Sequence, residues 1–362
     1  MQKVIVQILR APLGGIRKHV FDIINSLEKK DVQQVFITNT KDADKDLPLI
    51  KNLIIYHVDI KDQPSIKDFV NIVKIYKFLK NFNVIVLHGH GAKGGTYARI
   101  ISLFFKAKSI YTPHGGSLHR SYGTLKNKFY SLVELILVPL TDLFLFESHY
   151  SSNEFSKNVC RIKNKSVVNY NGVDIPLLQA NRFYQDHHPL KLASFGFLRH
   201  LKGHDIAIKT CALLVEYNIP FEYCIYGQGE ESENLLTLIK KFNLQEYITI
   251  KNYSGAVVEE MLHYDFIFHP SRFESFGYVP VEAMSVKIPV IASAEGGLKE
   301  VLDQECSYIS EKNTPESYCE IIKKIYEGDL TLKLKIENAF NKVKTNFSID
   351  VMLAKIEDVY FS

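Results

Sequence analysis

The sequence has 362 residues, of which 46% are hydrophobic and 23% are charged; this composition excludes disordered and fibrous proteins, and the length predicts two domains at roughly 100–200 residues each. The net charge of +4 hides an asymmetry, because residues 1–180 carry 25 Lys and Arg against 14 Asp and Glu, whereas the remaining residues are net acidic. No run reaches the roughly 20 apolar residues of a membrane-spanning helix, and the five cysteines form no C-x-x-C pair, which argues against a metal site of that kind and favours a reducing cytoplasm.

The first half alternates predicted strands with predicted helices. A buried strand spans Lys3–Leu9, Gly14 and Gly15 follow it, and then one helix face is apolar at Ile16, Val20, Ile23, Ile24 and Leu27. Further strands are predicted at Val35–Thr38, Ile54–Ile60, Val84–Leu87, Ser109–Thr112, Asp142–Glu147 and Ser166–Tyr170. Strands that alternate with helices indicate a parallel sheet covered on both faces.

A polar segment that ends in proline, Asn181–Pro189, predicts a domain boundary. A second alternation follows, with predicted helices at Asp205–Tyr217 and Glu231–Phe242. Its strands are predicted at Leu192–Phe195, Phe221–Tyr226, Ile248–Ile250, Phe266–His269 and Val290–Ala292. The last 50 residues have helical patterns. We therefore expect an N-terminal α/β domain over 1–180, a second over 181–345, and a C-terminal helix over 346–362 that packs back toward the first.

Glycine-rich loops with polar side chains follow these strands repeatedly. They occupy 14–15, 88–91, 113–116, 196–203, 227–229 and 271–277. Ligands of open α/β sheets bind at the carboxyl ends of the strands. We therefore expect two Rossmann-like doubly wound domains whose loops face a central cleft.

The loop residues themselves suggest a phosphate site, although each has an ordinary alternative. Gly14 and Gly15 precede a helix and suit either an anion site or a plain tight turn. Arg199 and Lys202 follow a strand, where fixed positive charge would stabilise a diphosphate leaving group. The alternative for these two cations is a solvated surface.

Two glutamates make the segment 270–284, PSRFESFGYVPVEAM, the most informative of the chain. Glu274 falls in the loop after a strand, and Glu282 falls near the start of the next helix. Carboxylates in such places accept hydrogen bonds from sugar hydroxyls, and amides near Gly277 can meet phosphate oxygens. The alternative is a buried element with one charge that needs a partner.

This pair of glutamates resembles the E-x7-E signature of the retaining glycosyltransferases of family 4, which have the GT-B fold. The flanking PSRFESFG and VEAM strings are similar to that family's motifs, and the resemblance covers roughly residues 4 to 302. It also includes Gly14-Gly15, 112–115 (TPHG), Lys202-Gly203, Gly227-x-Gly229, 289–292 (PVIA) and Gly296-Gly297.

The resemblance implies roles for residues of the second domain. Glu282 would bind the ribose hydroxyls of the donor. Glu274 would contact the transferred hexose, with the backbone of Phe276 and Gly277 nearby. Lys202 would neutralise the diphosphate. Two glycines would border the nucleotide, namely Gly227 and Gly229.

Further roles are implied for Gly15, which would approach the phosphates or the acceptor, and for His114, which would lie near the transferred sugar. One departure concerns the phosphate-binding arginine, which in the family directly follows the glycine matched by Gly196. This chain has Phe197 there, and Arg199 lies two positions later. Whether Arg199 reaches the same phosphate is left open by the sequence.

The implied reaction is transfer of a hexose from a nucleotide-diphospho-sugar to a glycan or lipid-linked acceptor with retention of configuration, in the synthesis of a bacterial surface polysaccharide or lipopolysaccharide. The leaving phosphate would help to take the acceptor proton. No metal or other cofactor is expected. His88 and His90 flank a glycine in a predicted strand-end loop and lack identifiable further metal ligands, which favours ordinary loop histidines. No nucleic-acid partner is expected.

Two basic segments bear on membrane contact. The segment Ile66–Phe82 combines an apolar face with four lysines, and Leu118–Phe129 mixes basic and aromatic residues. Such elements can lie on anionic membranes, or they can cover a sheet with lysines that reach solvent. For Ile66–Phe82 the sheet-covering interpretation is favoured. For Leu118–Phe129 both interpretations, membrane contact and sheet covering, remain open. We therefore expect a cytoplasmic protein with peripheral contact at the inner membrane face through its basic half.

Other functions compete with sugar transfer. A nucleotide-sugar epimerase can share this architecture but has no support from E-x7-E, and it would turn over donor without acceptor. A non-catalytic binder of nucleotide sugars or polyanions is disfavoured by the presence of Glu274, Glu282 and Lys202. A nicotinamide dehydrogenase is disfavoured because the G-x-G-x-x-G fingerprint is missing.

Overall fold

A computed structural model describes residues 2–39, 47, 50–115, 124–162, 164–180, 189–252 and 255–362. The chain forms two compact units, one made of Met1–Gly172 with Met352–Ser362 and the other of Val173–Val351. The predicted boundary segment, Asn181–Pro189, lies outside the described residues except for its proline.

The first unit contains one parallel sheet of seven strands in the order β3-β2-β1-β4-β5-β6-β7. The strands are β1 (Lys3–Leu9), β2 (Gln33–Thr38), β3 (Leu53–His57), β4 (Asn83–His90), β5 (Lys108–Thr112), β6 (Leu143–Phe146) and β7 (Ser166–Val168). The helices between them are α1 (Gly14–Ser26), α2 (Ile66–Leu79), α3 (Gly91–Ser102), α4 (Thr124–Leu137) and α5 (His149–Asn158). The predicted parallel α/β architecture of this half is confirmed.

The central strand β1 shows how the sequence builds two core layers. Successive side chains of a strand point to opposite faces. Val4, Val6 and Ile8 accordingly belong to one apolar cluster, which also holds Ile75 of α2. Ile5 belongs to another, together with residues of α1 and of the chain's last eleven residues. The interpretation of the first basic segment as a sheet-covering helix is confirmed by the burial of Ile75.

The second unit contains a parallel sheet of six strands in the order β10-β9-β8-β11-β12-β13. They are β8 (Leu190–Phe195), β9 (Phe221–Tyr226), β10 (Ile248–Lys251), β11 (Phe266–His269), β12 (Val290–Ser293) and β13 (Tyr308–Ser310). The helices are α6 (His204–Glu216), α7 (Ser232–Lys241), α8 (Val257–Met261), α9 (Tyr278–Ser285), α10 (Leu298–Val301), α11 (Pro315–Tyr326) and α12 (Leu332–Lys342). A π-helical turn (Val343–Phe347) precedes the last helix, α13 (Ile349–Phe361).

Two features differ from the sequence-based expectation. The short edge strand β13 was not predicted, because its two apolar residues, Tyr308 and Ile309, stand between two serines and form no apolar run. Strand β4 continues to His90, so His88 and His90 lie in the sheet and are buried rather than placed in a loop. The strand ends only where Gly91, with φ of +65°, begins α3.

The helical prediction for the last 50 residues is confirmed by α11, α12 and α13. Among the residues that the structure describes, no helix combines the length and the apolar character needed to cross a bilayer.

Candidate active site

In the second unit, the loop after β8 is held in place by the loop after β11. The guanidinium of Arg272 donates two hydrogen bonds to the carboxylate of Asp205, at 2.6 and 2.8 Å, and a third to the carbonyl of His200 at 2.8 Å. Gly203, with φ of +69°, ends the short turn and begins α6. A Cβ atom there would lie 2.0 Å from the carbonyl oxygen of Pro270, so only glycine allows this approach. The arrangement fixes the backbone that carries Lys202.

Lys202 meets Glu274 in a small polar cluster. The Nζ atom of Lys202 lies 2.5 Å from Oε1 of Glu274. His269 Nε2 donates to the same oxygen at 2.9 Å, and Ser271 Oγ donates to it at 3.1 Å. His269 is the last residue of β11, so the cluster lies at the carboxyl end of the sheet, as the loop positions predicted.

Electrostatics keep Glu274 ionised. Burial alone would raise the pKa of this carboxyl, but the charge of Lys202 and the hydrogen bond from His269 outweigh it and hold the pKa far below its usual range. Glu274 therefore cannot act as a proton donor at neutral pH. It can accept hydrogen bonds and orient the Lys202 ammonium.

Glycines allow the surrounding loops to pack closely. A Cβ atom on Gly227 would lie 1.9 Å from the carbonyl oxygen of Gly196, and one on Gly229 would lie 2.5 Å from that of Leu198. One on Gly296 would lie 2.2 Å from the carbonyl oxygen of Glu274. The structure therefore places Gly227 and Gly229 against the backbone of the loop that leads to Lys202.

The second glutamate of the pair lies on α9, as its spacing predicted. Gly277 adopts a φ of +107° and begins this helix, and Glu282 is half-buried on it. Phe276 is buried, and its ring packs 5.7 Å from that of Phe347. Its side chain belongs to the core, so only its backbone is placed to meet a ligand.

Arg199 is the predicted site residue that does not join the cluster. Its side chain is 55% exposed, its guanidinium lies 5.0 Å from the ring centre of Phe197, and its Nε is 3.9 Å from a carboxylate oxygen of Glu230. Phe197, which directly follows Gly196 in the sequence, thus provides a surface for Arg199. A role of Arg199 toward phosphate stays a prediction.

The first unit brings its own candidate residues together around His114. This residue follows β5 and has a φ of +52°. Its Nε2 lies 3.2 Å from Nδ1 of His90, and its ring centre lies 4.9 Å from that of His19 on α1. Ring nitrogens of His19, His90 and His114 all lie within 4.8 Å of one another. Gly15 is exposed at the first turn of the same helix α1.

These histidines are neutral near pH 7. Burial lowers the pKa of His19 from 6.5 to about 4. Burial, with smaller contributions from neighbouring histidines, lowers the pKa values of His88, His90 and His114 well below 6.5. The interpretation of His88 and His90 as ordinary loop histidines is therefore wrong, because both are buried in β4 and hydrogen-bonded.

This cluster predicts a loss of stability in mild acid. Between pH 6.5 and about 4.5 the unfolded chain takes up protons at these histidines whereas the folded chain does not, so the free energy of unfolding falls as pH decreases. For His19 alone, the lowering of its pKa to about 4 corresponds to about 3 kcal/mol at pH 4. Carboxylates with lowered pKa values, such as Glu274, contribute only below about pH 4.5.

Urea unfolding at pH 7 and at pH 5 measures the difference. We expect the free energy of unfolding of the wild type to be clearly lower at pH 5 than at pH 7. The difference should be smaller in His19→Gln, which removes one titrating ring. Equal stability of the wild type at both values would contradict the buried neutral state.

Several residues of these clusters were not found from the sequence. His269 ends β11 and Ser271 lies in the loop that carries Glu274, but nothing in their spacing marks them. His19 lies on an apolar helix face among ordinary core residues. Gln7, whose side chain is hydrogen-bonded to His90, did give a signal in the sequence, because it interrupts the apolar run from Val4 to Leu9.

Comparisons with known proteins agree with this architecture. The family profile "Glycosyltransferase Family 4" matches residues 13–176, and "Glycosyl transferases group 1" matches residues 181–342. An uncharacterized glycosyltransferase of Methanocaldococcus jannaschii is 27% identical over 354 residues, which cover 96% of this chain and 94% of that protein. The O-antigen biosynthesis glycosyltransferase WclY of Escherichia coli is 25% identical over 353 residues, or 94% and 93% of the two chains.

Among solved structures, HepE of Anabaena in complex with UDP and glucose is similar with a TM-score of 0.82 at 17% identity, over 100% of both chains. This similarity shows the fold, and the GT-B expectation is confirmed. Since the two profiles together account for most of the sequence, the chain belongs to the glycosyl transferases of group 1 and family 4 and is a glycosyltransferase.

Proposed function

We propose that this glycosyltransferase moves a hexose from a nucleotide-diphospho-sugar to a glycan or lipid-linked acceptor, with retention of configuration, in the synthesis of a bacterial surface polysaccharide or lipopolysaccharide. The observation that carries the proposal is the cluster of Lys202 and Glu274 at the carboxyl end of the second sheet, with Glu282 on the next helix. Open parallel sheets bind their ligands at that end.

The contacts of Glu274 suggest different roles for its two carboxylate oxygens. The hydrogen bonds from Lys202, His269 and Ser271 all fall on Oε1. Oε2 is therefore the atom we assign to the hydroxyls of the transferred hexose. An ionised carboxylate is a strong acceptor for such hydroxyls, and its low pKa keeps it in that state.

Lys202 is the cation assigned to the diphosphate. Negative charge grows on the leaving group as the glycosidic bond breaks, and a fixed ammonium stabilises that charge in the transition state. Glu274 holds Nζ of Lys202 in position before the donor arrives. The leaving phosphate oxygen then takes the acceptor proton, so that neither a protein nucleophile nor a metal ion enters the proposal.

The donor class is supported by relatives. HepE has been solved with UDP and glucose and with UDP-glucose. WclY is named for O-antigen biosynthesis, and AmsK of Erwinia amylovora, 26% identical over 184 residues, is named for amylovoran biosynthesis. These names support a nucleotide-sugar donor and a polysaccharide product for this chain.

The experiment is a release assay in which purified protein is incubated with nucleotide sugars, with and without lipid-linked acceptors from bacterial membranes. We expect nucleotide release that depends on acceptor, and NMR of the product should show the anomeric configuration of the donor. Donor turnover without acceptor would favour an epimerase, and an inverted product would contradict retention.

Membrane contact is proposed through helix α4. Four of its apolar side chains, spaced as one stripe, are between 51% and 84% exposed: Leu125, Phe129, Leu132 and Ile136. Lys126 and Lys128 lie near its start, and its single acid, Glu134, is buried against Arg99. An exposed apolar stripe beside lysines, with no exposed carboxylate on the helix, suits an anionic bilayer. The rest of the second basic segment, 118–123, lies outside the described residues.

Flotation with vesicles tests this contact. We expect Phe129→Ser combined with Leu132→Ser to reduce binding to vesicles of phosphatidylglycerol and phosphatidylethanolamine by about tenfold or more, because two apolar anchors are lost. The matched control is Ile66→Ser with Phe69→Ser on α2, whose side chains are 88% and 72% exposed on a helix that carries Asp68 in its first turn. Equal losses in both double variants, or none in either, would contradict the assignment to α4.

A further inference from the structure

A continuous series of hydrogen bonds, buried except for the partly buried last one, runs from the last helix to His114. The hydroxyl of Tyr360 lies 2.6 Å from Nδ1 of His88 and 2.8 Å from Nε2 of Gln7. Oε1 of Gln7 lies 2.8 Å from Nε2 of His90, and Nδ1 of His90 lies 3.2 Å from Nε2 of His114. All of these residues belong to the first unit.

The donors and acceptors of this series fix where each proton lies. In the orientation that the structure gives the Gln7 amide, its nitrogen donates to the hydroxyl oxygen of Tyr360, and we assign the hydroxyl proton to the contact with His88 Nδ1. The carbonyl oxygen of Gln7 can only accept, so His90 carries its proton on Nε2. His90 Nδ1 is then a bare acceptor, and His114 must donate to it from Nε2.

The same reasoning assigns the tautomer of His88 at the other end of this series of hydrogen bonds. Since Nδ1 of His88 accepts from Tyr360, its proton lies on Nε2, which donates to the hydroxyl of Thr112 at 2.8 Å. Each polar atom named in the series therefore has a role that is consistent with its neighbours. The neutral state of these histidines, which burial enforces, is a condition for this pattern, because a charged imidazole has no acceptor nitrogen.

We propose that Tyr360 and Gln7 are positioning residues that, through His90, hold His114 in the tautomer with a proton on Nε2 and a bare Nδ1. His114 is the one member of its trio with His19 and His90 that is not fully buried. Its ring therefore offers a substrate an acceptor nitrogen, which suits a sugar hydroxyl and disfavours an anionic oxygen. The hydroxyl as partner rests on the proposed function, whereas the tautomer does not.

The backbone of His114 is consistent with a ring that must be held in one orientation. A φ of +52° is uncommon for a residue other than glycine and persists only where the surroundings over-determine it. The helix that supplies Tyr360 also supplies Ile356 and Val359 to the core beneath β1, so the hydroxyl is rigidly placed.

A metal ion is the competing explanation for the trio. Three ring nitrogens within 4.8 Å of one another can ligate zinc. An ion held by the two facing nitrogens, His90 Nδ1 and His114 Nε2, needs both of them unprotonated. The hydrogen bond needs a proton there. The two states are mutually exclusive and can be told apart by measurement.

The test is long-range proton–nitrogen NMR of the full-length protein with ¹⁵N-labelled histidine, which distinguishes the two tautomers. We expect the wild type to show His90 and His114 protonated at Nε2. Tyr360→Phe should shift part of the His114 population to the Nδ1-protonated form. Gln7→Met removes the acceptor of His90 at similar side-chain volume and should shift a larger part of the His114 population to the Nδ1-protonated form. The double variant should resemble Gln7→Met alone, because both act along one path.

The matched control is Val359→Ala in the same helix, which removes packing and leaves the hydroxyl. We expect it to lower the melting temperature without changing the tautomers. In transfer assays, Tyr360→Phe should lower kcat by about 10–100-fold, the size seen when a group that orients a metal-bound histidine is removed, with little change in the KM for the donor.

The possible results distinguish a failure of the positioning network from a failure of the proposed function. Nδ1-protonated His114 in the wild type, tautomers unaffected in both Tyr360→Phe and Gln7→Met, or a metal-bound trio without protons between His90 and His114 would each overturn the proposal. If the tautomers shift as expected but the enzyme transfers no sugar, the positioning network stands and the proposed function fails.

Discussion

Glu274→Gln is expected to lower kcat by about 10²–10³-fold, the usual loss when one group that stabilises the transition state is removed. The substitution keeps the size of the side chain but removes the charge that holds the Lys202 ammonium 2.5 Å away. The Lys202→Ala variant should lose at least as much, because the diphosphate then has no cation at this position. Steady-state kinetics with saturating donor and acceptor measure both.

Stability must be measured alongside these rates, since Glu274 and Lys202 are mostly buried. Lys240→Ala on α7 is the matched control, because it removes an exposed lysine from the same unit. It should leave kcat within about twofold of the wild type, as surface substitutions usually do. If Glu274→Gln lost activity only in proportion to its loss of folded protein, the assignment of this carboxylate to the reaction would be wrong.

Glu134→Ala should destabilise the first unit by about 3–5 kcal/mol, which is the typical cost of leaving a buried charge unpaired. Arg99 is completely buried, and its Nη1 donates to Oε2 of Glu134 at 2.8 Å. Its guanidinium also lies 4.0 Å from the ring centre of Tyr111, whose hydroxyl donates to Glu134 at 2.9 Å. Removing the carboxylate takes away the acceptor of the Arg99 Nη1 and Tyr111 hydroxyl hydrogen bonds.

Urea unfolding followed by circular dichroism measures this loss. The control is the double variant Arg99→Met with Glu134→Leu, which replaces the pair by apolar side chains of similar volume and should recover most of the stability. A loss below about 1 kcal/mol in Glu134→Ala, the size seen for exposed pairs, would contradict a buried ion pair.

Periodicity predicted the fold well because it depends on local spacing. The nearly continuous apolar run of β1 and the helix face that contains Val20 and Ile23 are visible within a dozen residues. The α/β alternation then determines a parallel sheet in each half. The strand β13 was missed because its two apolar residues stand between serines, and the end of β4 was misjudged because glycine and histidine are also typical of loops.

The candidate sites could be predicted only where a motif carried them. Glu274 and Glu282 were found through their spacing. The contact between Lys202 and Glu274 joins residues 72 positions apart, and that between Gln7 and Tyr360 joins residues 353 positions apart. Such pairs follow from the packing of distant elements, and one sequence alone does not encode them in any local pattern.

The most direct test of a donor site on the second unit is a thermal-shift series with UDP-, GDP-, ADP- and dTDP-sugars on the wild type and on Lys202→Ala. A ligand that binds the folded state stabilises it by about 2.7 kcal/mol at one hundred times its Kd. We predict that sugars of one nucleotide raise the melting temperature of the wild type and that the shift is largely lost in Lys202→Ala. An unchanged shift in the variant, or no shift with any nucleotide sugar, would contradict the account.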